Sequence, residues 1–269
     1  PIVSINREFS APVQLNFEQK DEELYLLMTK DPDSFNRWES AQKLYRQTLL
    51  TMYKSLLANE APIVPEPLKL AFEELVKKGS EDPALTARLM ELPKTHYLSQ
   101  FLTDLDPICL HQAYKAFYTQ MAEAIQTTAV PIYTELENKN LGHSAKDGAL
   151  RAYKNVLLSY IYKNDEESGA PVFYKQFSEA RNMTDSLAAL SRLSYHGGKL
   201  YDEAMNSFRD RWHEDALVLN KLFVVSAISK ADDAFKKIKD RFYSEDFDKT
   251  NPNNIYALLY YFAQHNWSQ

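Results

Sequence analysis

The sequence predicts an all-α protein, an irregular superhelical stack of antiparallel helix pairs preceded by a short β segment. Three observations carry that prediction. Apolar residues recur at helical spacing almost without a break from Asp21 onward. Six glycines in 269 residues are too few for a turn-rich all-β fold. The run Lys175 to Leu190 reads as two helices set end to end, with Phe173, Phe177 and Ala180 forming one stripe and Met183, Leu187, Leu190 and Leu193 the next. A connection as short as the one near Arg181 folds such helices back as an antiparallel pair. Asn182 or Thr184 can cap the second helix by accepting from a free backbone N–H, and Asp185 puts a carboxylate near the positive end of its dipole.

Taken in order, the chain begins differently from how it continues. In residues 1–17, Val13, Leu15 and Phe17 alternate with Gln14 and Asn16, the period of a half-buried strand, and Ser10-Ala11-Pro12 separates them from an earlier extended piece. Two short strands are not stable alone in water, so they read as the trailing end of a neighbouring β domain. Asp33 or Ser34 then opens a long helix whose predicted buried face carries Phe35, Trp38, Gln42, Tyr45, Leu49, Met52, Tyr53 and Leu56, with Trp38 as an anchor. Pro62, Pro65 and Pro67 break the helical pattern after it.

Further helix starts are marked by a capping residue followed by proline: Asp82-Pro83, Asp106-Pro107 and Asn251-Pro252. Ser144 and Asp147 stand at the spacing of a capping box. Loops are predicted at 139–144, 163–170 and 243–250, giving about twelve helices in all. No fixed repeat length relates them, which excludes a consensus tetratricopeptide or ankyrin array and leaves irregular pairs in a HEAT/armadillo-like solenoid. A single compact bundle is the alternative architecture.

A net charge of −6 disfavours nucleic acid and anionic membrane surfaces as partners. The local basic run of Lys236, Lys237, Lys239 and Arg241 reads as the solvated face of a helix. The single cysteine, Cys109, precludes an internal disulfide and, lying between Ile108 and Leu110, reads as a buried inert thiol. No apolar run approaches membrane-spanning length and no signal peptide opens the chain, so a reducing, cytoplasmic setting is expected. Pro1 in place of Met suggests a piece of a longer protein.

Candidate chemistry is sparse. His213-Glu214-Asp215-Ala216-Leu217 opens like the helical zinc signature His-Glu-x-x-His, but the fifth position is leucine and the chelating pair is lost. His96, His111, His143, His196 and His265 share no ligand spacing. Asp104 with Asp106, and Asp165-Glu166-Glu167, are better explained as helix caps and loop charges than as an acid–base pair. Gly197-Gly198 follows a helix end, where a C-terminal cap is expected, and makes no phosphate loop. Tyr256, Tyr260, Tyr261 and Phe262 read as core or interface. These residues propose no catalytic, cofactor-binding or metal-binding residue in this chain.

Several separated segments together resemble one family. They are Arg7 to Val13, Arg37 to Gln42, Asp82 to Leu85, Lys175 to Leu190, Trp212 through Val218 to Phe223, and Asn251-Pro252-Asn253. In that order they are similar to the carboxy-terminal part of bacterial-type zinc aminopeptidases N, the alanyl aminopeptidases of the gluzincin class. The resemblance implies that residues 1–17 end a small β-sandwich domain. It implies that residues 18–269 form a helical, superhelical domain enclosing the active-site cavity, and that the chain stops short of the family's last helices. Zinc, its ligands and the amine-binding segment belong upstream in the parent enzyme. The implied partners are therefore the catalytic and β-sandwich domains of one polypeptide and the peptide substrate. Two positions depart from the family pattern, Leu222 for a usual tryptophan and Tyr256 for a common arginine. A free-standing helical scaffold that binds a protein partner is the alternative function.

Overall fold

The computed structural model describes residues 2–13, 15–163 and 166–266. It divides into two compact units, Pro1–Asn164 and Asp165–Gln269, each with its own core.

The first unit opens with irregular backbone and a single 3-10 turn, Arg7–Phe9. No strand occurs among the described residues, which corrects the expected β segment. A strand exists only through lateral hydrogen bonds to a neighbour, and nothing among the described residues pairs with this stretch. Val13, Leu15 and Phe17 are 53%, 50% and 44% exposed, so the alternation is real in sequence but buries nothing here. The segment is tied to the helix Ser34–Leu57 where the Glu8 N–H donates to the Asp33 carboxylate at 2.9 Å and the Phe9 ring lies 5.1 Å from that of Phe35.

Seven helices follow: α1 (Asp21–Lys30), α2 (Ser34–Leu57), α3 (Glu66–Lys77), α4 (Pro83–Leu89), α5 (Thr95–Ser99), α6 (Pro107–Glu137) and α7 (Ala145–Ile161). The proline-marked starts form as expected, because the side chain before each proline satisfies the free donors of the first turn. Asp82 accepts from Leu85 N–H at 3.1 Å, and Asp106 from Ile108 and Cys109 N–H at 2.9 Å each. Ser144 caps α7, accepting from Asp147 N–H at 3.1 Å and donating to its carboxylate at 2.7 Å.

Helix α6 packs against α2, α3 and α7. At that junction Tyr45 of α2 meets Phe72 of α3 and Phe117 of α6 at 6.2 and 5.8 Å, and Phe72 meets Tyr160 of α7 at 5.4 Å. The carbonyl groups that end α4 point into this core, where water cannot satisfy them. The Tyr45 hydroxyl donates to Leu89 O at 2.8 Å and the Tyr160 hydroxyl to Met90 O at 2.7 Å, so two neighbouring helices cap it.

Trp38 corrects a second expectation, because it is 37% exposed and anchors nothing. The buried side of α2 is two adjacent i,i+4 rows, Asn36-Ser40-Leu44-Thr48-Met52 and Ala41-Tyr45-Leu49-Tyr53. Trp38 stands in the next row with Gln42 and Arg46 and meets only the edge of the Phe9–Phe35 pair, at 6.2 Å from Phe35.

The second unit contains α8 (Glu166–Glu179), α9 (Met183–His196), α10 (Gly198–Trp212), α11 (Ala216–Ala227), α12 (Ala234–Phe242), α13 (Pro252–Ile255), a π-helical turn (Tyr256–Tyr260) and α14 (Tyr261–His265). Because α8 starts at Glu166, the predicted loop at 163–170 is shorter than expected, and residues 164 and 165 lie outside the described ones. The last three elements run on without interruption, so among the described residues the fourteen α segments amount to thirteen helices.

Helices α8 and α9 form the antiparallel pair predicted around Arg181. Asn182 rather than Thr184 is the cap, accepting from Asp185 N–H at 2.9 Å. Gly197 ends α9 with φ at +67°, where a β-carbon would lie 2.6 Å from Ala231 Cβ, so glycine is required there twice over. Helix α11 packs against α9, α10, α12 and the final helical run. That central place matches its largely apolar composition, with Leu219, Leu222, Phe223, Val225 and Ala227 all buried.

Candidate functional site

Most residues singled out in the sequence resolve into structural roles. The zinc-like pentapeptide straddles the turn between α10 and α11 instead of lying on one helix. Asp215 caps α11, accepting from Leu217 and Val218 N–H at 3.0 and 3.1 Å, and Leu217 is 75% exposed. His213 Nδ1 lies 3.0 Å from Asp210 O. A histidine at position 217 would still not stand one helical turn from His213. Among the described residues, no group of three His, Cys, Asp or Glu is placed to hold a metal ion.

The Asp104 and Asp106 pair is organised by one phenol: the Tyr53 hydroxyl donates to Asp104 O at 3.0 Å and accepts from Asp106 N–H at 2.9 Å. Cys109 is buried, and burial followed by the nearby Asp106 raises its thiol pKa, which keeps it in the unreactive protonated form. In the acidic run, Asp165 lies outside the described residues. Tyr256, Tyr260 and Tyr261 are not core. They stand exposed along the π turn and the start of α14, in a chain of ring contacts at 5.5 and 6.4 Å. Leu222 is buried, an apolar exchange inside the core, whereas Tyr256 presents its ring to solvent.

The arrangement that sequence reading missed is an open cleft of about 250 Å³ between α10, α11 and α12. Tyr201, Asp202, Met205 and Asn206 come from one face of α10, Ser226 from α11, and Lys237, Asp240 and Arg241 from α12, with Ser244 just beyond it. The basic run is therefore not one solvated face. Lys236 and Lys239 are exposed, while Lys237 and Arg241, one turn apart, are half-buried against the cleft. Their i,i+4 spacing was the available signal, but only the position of α10 shows which side of α12 is inward.

The charges of the cleft are unevenly satisfied. Lys237 Nζ lies 2.6 Å from Asp202, 3.0 Å from Asp233 and 5.0 Å from the Tyr201 ring centre. Burial pulls its pKa down, but the two carboxylates outweigh that and hold it above the ordinary lysine value. Burial pushes the Tyr201 phenol up to about 12, beside the Ser226 and Ser229 hydroxyls. Arg209 forms a two-pronged pair with Asp246, which raises its pKa. Arg241 has its pKa lowered, chiefly by burial and against the opposing pull of Tyr201 and Asp246, and its guanidinium makes no hydrogen bond or ion pair among the described residues.

Helices paired antiparallel, without a strand among the described residues, define the class: a helical-repeat domain. A family model described as "Domain of unknown function (DUF3458_C) ARM repeats" matches residues 21–269, and the chain belongs to that family. It is 30% identical over 270 residues to Aminopeptidase N of Escherichia coli, covering 99% of this chain and 31% of that protein. It is 29% identical over 267 residues to Aminopeptidase N of Haemophilus influenzae, covering 99% of this chain and 30% of that protein. The chain thus spans about a third of the length of these relatives and is similar to their carboxy-terminal region. A crystal structure of Legionella pneumophila aminopeptidase A in complex with aspartic acid superposes with a TM-score of 0.84 at 25% identity, over 97% of this chain and 31% of that one.

Proposed function

We propose that this chain is the non-catalytic helical carboxy-terminal domain of a zinc aminopeptidase that removes N-terminal residues from peptides. In this reading it walls the active-site cavity and limits which peptides reach the metal. The observation that carries the reading is the alignment, which takes in 99% of this chain but only 31% of the E. coli aminopeptidase N. Two surfaces support it. The alternating apolar residues Val13, Leu15 and Phe17 and the tyrosines of the π turn are exposed, as faces covered by the β-sandwich and catalytic domains of the same polypeptide would be in isolation. In this reading zinc and its ligands belong to another part of that polypeptide. Among the described residues no helix is long and apolar enough to cross a membrane. The family resemblance, not that absence, leads us to propose a cytoplasmic parent enzyme.

A walled cavity excludes water and strengthens electrostatic interactions at the metal, and its mouth sets the size of peptide admitted. The test uses the full polypeptide with and without residues 18–269, comparing zinc content and kcat/KM for dipeptides and longer peptides. Truncation should leave zinc in place and change the ratio of long-peptide to dipeptide cleavage. A folded, zinc-loaded truncation that cleaves both with unchanged efficiency would favour a scaffold role instead.

A further inference from the structure

The cleft between α10, α11 and α12 presents two opposite charges whose side chains make no hydrogen bond or ion pair among the described residues, Asp246 acting on Arg241 only through space. The Arg241 guanidinium has five N–H donors, lines the cleft, and none of them meets a partner among the described residues. Asp240, the residue before it, stands exposed at the rim and likewise forms no ion pair among the described residues, not even with Arg241. The neighbouring charges are already matched: Lys237 by Asp202 and Asp233, and Arg209 by Asp246. What remains is one cation and one anion on the lining of the same cleft, together with the exposed Asn206.

We propose that this cleft binds a small zwitterion of the α-amino-acid type, its carboxylate on the Arg241 guanidinium and its ammonium toward Asp240. The planar fork of a guanidinium matches a carboxylate through two parallel N–H···O bonds, and partial burial strengthens that match. A bare anion fits less well, because Asp202 and Asp240 also line the cleft, and a dianion such as phosphate fits worst. The volume of about 250 Å³ lies just under the range usual for drug-sized ligands, which suits an amino acid. The assignment rests on the cleft alone and is independent of the aminopeptidase reading.

The test is titration of the chain with L-alanine, acetate, methylammonium and inorganic phosphate, followed by calorimetry and by thermal stabilisation. L-alanine should saturate with a Kd of about 1–10 mM, and acetate and methylammonium should bind about tenfold more weakly. Arg241→Met should abolish alanine binding, and Arg241→Lys should weaken it by losing the fork. Asp240→Asn changes an exposed side chain and leaves folding intact, and it should reduce alanine to the level of acetate. Absence of saturable stabilisation by alanine at about 50 mM overturns the proposal, as does unchanged affinity in the Arg241→Met and Asp240→Asn variants. Phosphate binding more tightly than alanine through Arg241 would overturn it in favour of a plain anion site.

Discussion

The phenol of Tyr153 lies so close over Gly79 that a β-carbon at Gly79 would sit 2.2 Å from its oxygen and 2.3 Å from the adjacent ring carbon. The same hydroxyl donates to Val76 O at 2.6 Å, near the end of α3, so the ring cannot swing aside without losing that bond. Gly79→Ala should therefore destabilise the first unit by about 1–3 kcal/mol through overpacking. Tyr153→Phe, which keeps the ring and removes one of two donors to Val76 O, the Gly79 N–H at 3.1 Å remaining, should cost about 0.5–1.5 kcal/mol. Urea unfolding of both variants checks this, and a Gly79→Ala chain as stable as the parent would show that the contact yields easily.

Trp38→Ala should cost less than about 1 kcal/mol, the range of a surface site, because Trp38 lies outside the two buried rows of α2. Phe117→Ala, at the centre of the α2–α3–α6 contact, should cost about 3–5 kcal/mol. The two unfolding midpoints, measured side by side, should separate clearly. Equal losses would mean that the rim of α2 is packed as tightly as its core.

Alkaline pH should weaken the fold through its buried phenols. Burial raises the pKa of Tyr45, Tyr153 and Tyr201, Tyr201 to about 12, from an ordinary 10.0. A value raised in the folded state means the folded chain holds these protons more tightly. Their contribution is complete below pH 10 and is lost as pH rises from there toward 12 and beyond. Unfolding midpoints and tyrosinate absorbance should therefore change together above pH 10, and a flat stability profile there would contradict the assignment.

Lys230 should act in the opposite direction at lower pH. Burial depresses its pKa to about 8 from 10.5, and its ammonium donates to His265 O at the end of α14. A depressed lysine leaves the folded state binding fewer protons than the unfolded chain between pH 8 and 10.5, so stability from this group rises across that window. Lys230→Met should flatten the rise, read from unfolding midpoints below pH 10 where the tyrosines are silent. An unchanged slope in the variant would assign the rise to another group.

The sequence by itself determined the helical character, a cap at Asn182 or Thr184, the three aspartate or asparagine caps before proline, and the α8–α9 hairpin. Each of these is settled within a few residues, by backbone donors that need a nearby oxygen and by apolar spacing that needs a face. It also carried the family, through segments scattered along the chain. Tertiary structure decided whatever required a second element. Val13, Leu15 and Phe17 alternate like a strand, but a strand is made by its neighbour, and none is present among the described residues. Trp38 and Tyr45 both fit a helical stripe, and only the approach of α3 and α6 selected the row containing Tyr45. The basic run of α12 was legible as a charged helix. Which of its cations turn inward, Lys237 onto Asp202 and Arg241 into an open cleft, was decided by where α10 lies, because the periodicity of one helix says nothing about the position of the next.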